Sequence, residues 1–281
     1  MPELPELEVT KARLRLALAG RLVEGVTLRQ FACLKTVEPK LEALKDNHVL
    51  GITRYGKFLC FDTDRKLHLC VHLMRDGGLR LGPAGHPITR NHLFCLHLDN
   101  QEDLRVIENS TKHRVQVHLV ADPKQVAWIS ELGLDPLGPE FTLGRFRQAL
   151  ARRNRTVRKF LTDQRAVAGI GNCYSDEILF EARLSPFQQN VELKPEQAIR
   201  LYTAVKKVLS DAILHLKALD HLPDRRDRTF LRVHGRLGQP CPVCDTEIKR
   251  VSYEESTMYY CPGCQTGGRI LADRRLSRLL K

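Results

Sequence analysis

Leu7, Leu14 and Leu18 recur at helical spacing and stop at Gly20, a pattern that predicts one amphipathic helix closing at a glycine cap. The first residues, Met1-Pro2-Glu3-Leu4-Pro5-Glu6, therefore stand at a helix start. From Arg21 to about Val120 the apolar positions alternate in short segments, among them 57–61, 67–73, 92–98 and 114–120, which predict strands of a sandwich or barrel. Pro123, Gly133, Pro136, Gly138 and Pro139 then crowd a stretch in which extended sheet cannot easily continue, and a domain boundary is placed there. Beyond it the period is helical. Thr142 is positioned to cap a helix over 143–152, and Leu201, Val205, Val208, Ala212 and Leu216 form the apolar stripe of a long core-facing helix. A polar run rich in Arg and Asp, 223–235, leads into a short cysteine-bearing module.

The chain thus divides into 1–135, 136–222 and 223–281, an α+β multidomain protein with a leading helix and no internal repeat. Lys and Arg number 45 against 33 Asp and Glu, a formal charge of +12 that attracts polyanions and makes nucleic acid the first partner to consider. No apolar run approaches the ~18 residues needed to cross a bilayer, and the acidic start is unlike a signal peptide. An intracellular, cytoplasmic protein with no membrane partner is expected. The nine cysteines are then reduced thiols rather than a disulfide framework.

Four of those thiols carry the clearest chemistry. Cys241-x2-Cys244 and Cys261-x2-Cys264, separated by 16 residues, offer two knuckles that close a tetrahedral zinc site. With every ligand a cysteine no coordination position is open, so the metal is expected to be structural, one per chain. Its task is to hold a hairpin over 247–260 that has little core of its own. A second feature is basic and helical: Arg145, Arg147, Arg152, Arg153, Arg155, Arg158, Lys159 and Arg165 suit a phosphate track. Gly169-Ile170-Gly171-Asn172 then feeds a helix with Tyr174, Ile178 and Ala182 on one face, and a glycine turn at a helix N-terminus exposes N–H groups to an anion.

Three of these segments resemble one family. The start Met1-Pro2-Glu3-Leu4-Pro5-Glu6, the turn Ala168-Gly169-Ile170-Gly171-Asn172 and the finger entry His234-Gly235-Arg236-x-Gly238-Gln239-Pro240-Cys241 resemble formamidopyrimidine-DNA glycosylases of the endonuclease VIII superfamily. The finger exit Tyr260-Cys261-Pro262-x-Cys264-Gln265 matches as well, and the likeness runs from end to end. It implies an N-terminal β-sandwich with its leading helix, a helix-two-turn-helix domain and a C-terminal zinc finger, in a monomer that binds damaged DNA. It also implies a bifunctional glycosylase and AP lyase, with the amine of Pro2, freed by loss of Met1, as nucleophile. Glu3 then corresponds to the acid/base carboxylate, Glu6 to a supporting one, Lys57 to a strand lysine contacting phosphate near the lesion, and Asn172 to a turn residue fixing another phosphate.

The sequence departs from the family in three places. The hairpin arginine five residues before the third finger cysteine is replaced by Ser256, leaving Lys249 or Arg250 as the nearest substitutes. The loop that supplies an aromatic wedge reads Glu108-Asn109-Ser110-Thr111-Lys112-His113-Arg114, so Lys112 and Arg114 can meet phosphate but no Phe, Tyr or Trp is present, while Met74 or Arg75 stand where a first wedge residue is expected. The loop after the long helix carries Arg225-Arg226-Asp227-Arg228 in place of Gly and Thr. Wedge residues normally offset the cost of base extrusion, so these departures favour single-stranded or bubbled DNA over paired 8-oxoguanine. Two alternatives stay open: an enzyme of the same superfamily preferring oxidised pyrimidines, single strands or crosslinked DNA, and a catalytically weak DNA-damage-binding protein. A binder has no need of a free proline amine, which favours the enzyme.

Overall fold

Glu3 opens the first helix, α1 (Leu4–Leu18), with Pro5 in its first turn and a capping box between Glu3 and Glu6. Leu4, Leu7, Leu14 and Leu18 are fully buried along it, each contributing roughly 1.5–3 kcal/mol. The helix ends as the sequence predicts: Gly20 takes φ +80° and donates its N–H to the Val49 carbonyl at 2.8 Å. The structure is a computed structural model and describes residues 1–87, 89–110, 114–253 and 256–271.

The chain forms two compact units, Met1–Glu131 with Leu216–Asp227 and Leu132–His215 with Arg228–Lys281. In the first, strands β1 (Leu22–Leu28), β2 (Asn47–Tyr55), β3 (Phe58–Thr63), β4 (His68–His72), β5 (Gly77–Pro83), β6 (His92–Leu98), β7 (Glu102–Glu108) and β8 (Gln116–Val120) pair antiparallel in the order β5-β7-β6-β1-β2-β3-β4-β8. The two halves of this sheet join only where Leu22 and Val23 of β1 pair with His48 and Asn47 of β2. Leu96, Leu104 and Val106 from one half and Val49, Phe61 and Val71 from the other fill a single core, which is the expected sandwich. Phe58, Cys60 and Cys70 face the other way and are covered by Val126 and Ile129 at the short helix α2 (Ala127–Ser130).

The second unit is helical. Thr142 accepts from the Arg145 N–H at the start of α3 (Leu143–Ala151), and Thr156 accepts from Lys159 at the start of α4 (Val157–Thr162). α5 (Asn172–Glu181) follows the glycine turn, and α6 (Pro195–Lys217) buries Leu201, Val205, Val208, Ala212 and Leu216, the predicted stripe. The finger hairpin is β9 (Lys249–Tyr253) with β10 (Ser256–Tyr260), followed by α7 (Pro262–Thr266). Among the described residues no helix is long and apolar enough to cross a membrane.

Candidate active site

Pro2 is buried immediately ahead of the α1 cap, with Glu3 and Glu6 buried beside it. The Glu3 N–H donates to the Glu6 carboxylate at 2.9 Å, so Glu6 fixes the direction in which the chain enters the helix and hence where Pro2 points. A buried carboxylate at this position is further favoured by the helix N-terminus.

Lys57, expected on a strand, sits instead in the turn between β2 and β3. Gly56, with φ +55°, makes that turn tight. Arg54 anchors it to the helix: its Nε donates to Glu8 of α1 at 2.9 Å and its guanidinium donates to the Gly56 carbonyl at 3.0 Å. Lys57 is 7% exposed, which holds its chain in place rather than in bulk water.

His72 at the end of β4 is the neighbour that the sequence reading missed. Burial, then the charges of Lys57, His118 and the N-terminal ammonium, push its pKa down to about 3. Lys57 and the chain's amine therefore both lie within electrostatic reach of this one imidazole. Its Nδ1 accepts the Met74 N–H at 3.0 Å and so props up the turn that presents Met74 and exposed Arg75. Met74 itself holds φ +50°, and Gly77 closes the turn because a Cβ there would stand 2.3 Å from the Leu73 carbonyl oxygen. Since folded His72 resists protonation, its contribution to stability is present above pH 6.5 and is lost as pH falls toward 3. Melting curves between pH 7 and 4 should show the wild type losing on the order of 3 kcal/mol more than His72→Gln. Parallel curves would contradict this placement.

A cavity of about 790 Å³ opens beside Pro2, walled by α1 at Leu7 and Thr10, by Arg75 and Asp76, and by the segment 220–226. The polar run expected to be a linker is thus part of the site. Arg13 of α1 donates to the carbonyls of Lys217, Leu219 and His221, and Arg225 pairs with Asp76 at 3.0 Å. Charge-to-backbone pinning of this kind leaves no hydrophobic signature, which is why the pattern did not reveal it.

In the second unit, Gly169 takes φ +88° and Gly171 caps α5, whose first residue, Asn172, is exposed. Arg158, read from the sequence as part of a phosphate track, turns inward. It donates to Asn172 Oδ1 at 3.1 Å, to the Thr257 carbonyl at 3.2 Å and to Asp176 at 3.3 Å. Asp176 also accepts from His234 Nδ1 at 2.7 Å and from the Tyr259 N–H at 3.1 Å, tying α5 to the hairpin. Burial pushes its carboxyl above the usual range against the opposing pull of His234 and Arg158. Arg145 is held by Glu140 and Arg155 by Asp163, whereas Arg147, Arg152, Arg153, Lys159 and Arg165 remain on the surface. Lys249 pairs with Glu247 at 2.7 Å, Arg250 is exposed, and Arg114 is exposed where its backbone N–H closes onto Glu108 at 2.9 Å. Lys112 and His113 lie outside the described residues.

The Sγ atoms of Cys241, Cys244, Cys261 and Cys264 all lie within 4.8 Å of one another. Tetrahedral zinc with bonds of ~2.3 Å requires sulfur–sulfur separations of roughly 3.8 Å, and the structure gives 3.8 Å for Cys241 to Cys264 and 3.4 Å for Cys244 to Cys261. The Val243 and Cys264 N–H groups donate to Cys241 and Cys261 sulfur, as knuckle turns do. Gly263 is required by the approach, because a Cβ there would meet Thr246 Oγ1 at 2.6 Å and Cys244 Sγ at 3.0 Å. The donor set therefore fits a closed thiolate metal site.

Two family models match the chain: the formamidopyrimidine-DNA glycosylase N-terminal domain over residues 1–115 and the formamidopyrimidine-DNA glycosylase H2TH domain over residues 132–219. They place it among glycosylases that pair a sheet unit with a helix-two-turn-helix. A formamidopyrimidine-DNA glycosylase of Thermus thermophilus is 35% identical over 280 residues, 95% of this chain and 100% of the relative, and one of Herpetosiphon aurantiacus is 33% identical over 94% and 100%. The crystal structure of MutM (Fpg) from Thermus thermophilus superposes with a TM-score of 0.82 at 32% identity, covering 94% of this chain and 98% of that one. A Lactococcus lactis Fpg in complex with abasic-site DNA has a TM-score of 0.84 at 23% identity over 94% and 99%, a likeness of fold. The chain belongs to the formamidopyrimidine-DNA glycosylase family and is a DNA glycosylase of base excision repair.

Proposed function

We propose that the protein is a bifunctional DNA glycosylase and AP lyase whose nucleophile is the secondary amine of Pro2, exposed once Met1 is removed. The observation that carries this reading is the position of Pro2: buried ahead of a carboxylate-capped helix and lining a cavity large enough for a base. An α-amino group deprotonates near pH 8, well below a lysine, so it is the better nucleophile at neutral pH. Its attack on C1′ breaks the glycosidic bond, the base leaves with a proton, and an iminium joins Pro2 to the opened sugar. Loss of a C2′ proton then expels the 3′-phosphate while the sugar stays joined to Pro2. A second elimination from this bound iminium expels the 5′-phosphate, and water then hydrolyses the iminium, releasing the sugar remnant and restoring the Pro2 amine.

Glu3 is the acid/base group beside the sugar, and Glu6 is a positioning residue that acts through the Glu3 N–H. Lys57 and Asn172 hold phosphates, and Arg114, Lys112, Lys249 and Arg250 extend the phosphate track, with Met74 or Arg75 entering the vacated helix. Cys241, Cys244, Cys261 and Cys264 would hold zinc, which supplies structure to the hairpin and no catalytic step. In this reading 1–135 carries catalysis, 136–222 and 223–281 grip DNA, and one chain suffices.

The stretch 108–114 carries no Phe, Tyr or Trp, and aromatic stacking, worth ~1–3 kcal/mol per base, matters most when a base must leave a duplex. Single-stranded or bubbled DNA is therefore the favoured substrate. Single-turnover cleavage of one lesion at equal salt should run at least as fast in single strand and bubble as in duplex, with slow excision of 8-oxoguanine opposite cytosine. A marked duplex preference would contradict the reading.

A further inference from the structure

We infer that Trp128 is a stacking platform for an unpaired nucleobase of single-stranded DNA, set beside the Lys57 end of the site. The inference rests on the proposed function in one respect, that a single strand passes Lys57. Trp128 is the chain's one tryptophan, lies on α2 and is 50% exposed. The short helix is held down by its neighbours: Val126 and Ile129 are each 5% exposed and pack with Phe58, Cys60 and Cys70. Burying those two leaves the indole facing outward, although it is the largest apolar group in the segment and gains most from being covered.

Its ring contacts are edge-to-face rather than parallel. The indole lies 5.8 Å from His72 at 84° and 6.4 Å from Phe58 at 76°, so neither ring is parallel to it, and half of the side chain remains exposed. His72 is the imidazole that feels both Lys57 and the N-terminal ammonium, and Phe58 follows Lys57 in the chain. The indole therefore packs against Phe58, the residue after Lys57, and against His72, whose pKa the Lys57 charge lowers. A backbone-tracking cation together with an exposed aromatic ring is the combination by which proteins hold single strands without reading sequence. Trp128 then provides, from another element, the large aromatic side chain that 108–114 lacks.

Because the chain has one tryptophan, its emission reports this contact directly. The intact protein is titrated with oligothymidylate and with a strand of equal length built from abasic tetrahydrofuran units, occupancy being followed independently by anisotropy of an end label. Oligothymidylate should quench the emission, and the base-free strand should bind with little quenching. Trp128→Ala should weaken oligothymidylate binding about tenfold while leaving the base-free strand nearly unchanged, and Trp128→Phe should keep most of the affinity. Unchanged emission at full occupancy, equal quenching by both strands, or equal loss on both strands in Trp128→Ala would each overturn the inference. Borohydride trapping by the same preparation separates the two proposals: trapping without quenching defeats the platform alone, and quenching without trapping defeats the proline mechanism alone.

Discussion

A chain carrying two extra residues ahead of Pro2 should lose covalent trapping on an abasic strand by at least about a thousandfold, while its affinity for the same strand changes little. The extension converts the secondary amine into an amide, which has no basic lone pair, and leaves Lys57, Asn172 and the surface arginines where they are. Lys57 is the competing amine, but it is buried in a turn that Arg54 braces through the Gly56 carbonyl. Lys57→Ala should therefore behave oppositely, weakening DNA binding and slowing turnover while still forming the adduct. Glu6→Gln should fall between them. It keeps a hydrogen-bond acceptor for the Glu3 N–H but removes the charge at the helix start, so it tests positioning apart from nucleophilicity.

Cys261→Ala should abolish metal binding, taking zinc from one per chain to none, and should lower DNA affinity at least about tenfold. The finger has a small core, Phe180, Val233, Cys241, Ile248 and Cys261 with a second patch around Met258 and Tyr260, so the metal bonds carry much of its stability. Structural zinc in small fingers is worth on the order of 10–16 kcal/mol, comparable to what such a core supplies. The hairpin bears Arg250, and its Tyr259 and Thr257 backbone groups meet Asp176 and Arg158, so disorder in the finger should be felt at Asn172 as well. Cys95→Ser, a buried thiol in the sheet, is the control and should retain zinc. Full DNA affinity in zinc-free Cys261→Ala would contradict this account of the finger.

What the sequence discloses and what it withholds follow from the range of the forces involved. α1, the Thr142 cap and the α6 stripe were legible because their causes lie within one or two turns of chain. The four cysteines were legible because ligand spacing constrains geometry directly. Lys57 was misplaced onto a strand because the tight turn at Gly56 depends on Arg54 reaching Glu8, a contact 46 residues long. Arg158 looked like surface charge because its partner Asp176 comes 18 residues later, on the next helix. His72 was missed, and the loop bearing Arg225 and Arg226 was noted without its anchors, for the same reason: each is held by partners that no local pattern displays, Lys57 and the N-terminus for one, Arg13 and Asp76 for the other.

The most direct test of the central claim is to locate the adduct. The protein is incubated with a strand bearing an abasic site, reduced with borohydride, digested with protease and nuclease, and the sugar-bearing peptide is sequenced by mass spectrometry. The account predicts a peptide beginning at Pro2, with Met1 absent and the sugar remnant on the proline nitrogen. A remnant on the Lys57 side chain, or on any other lysine with Pro2 unmodified, would contradict it.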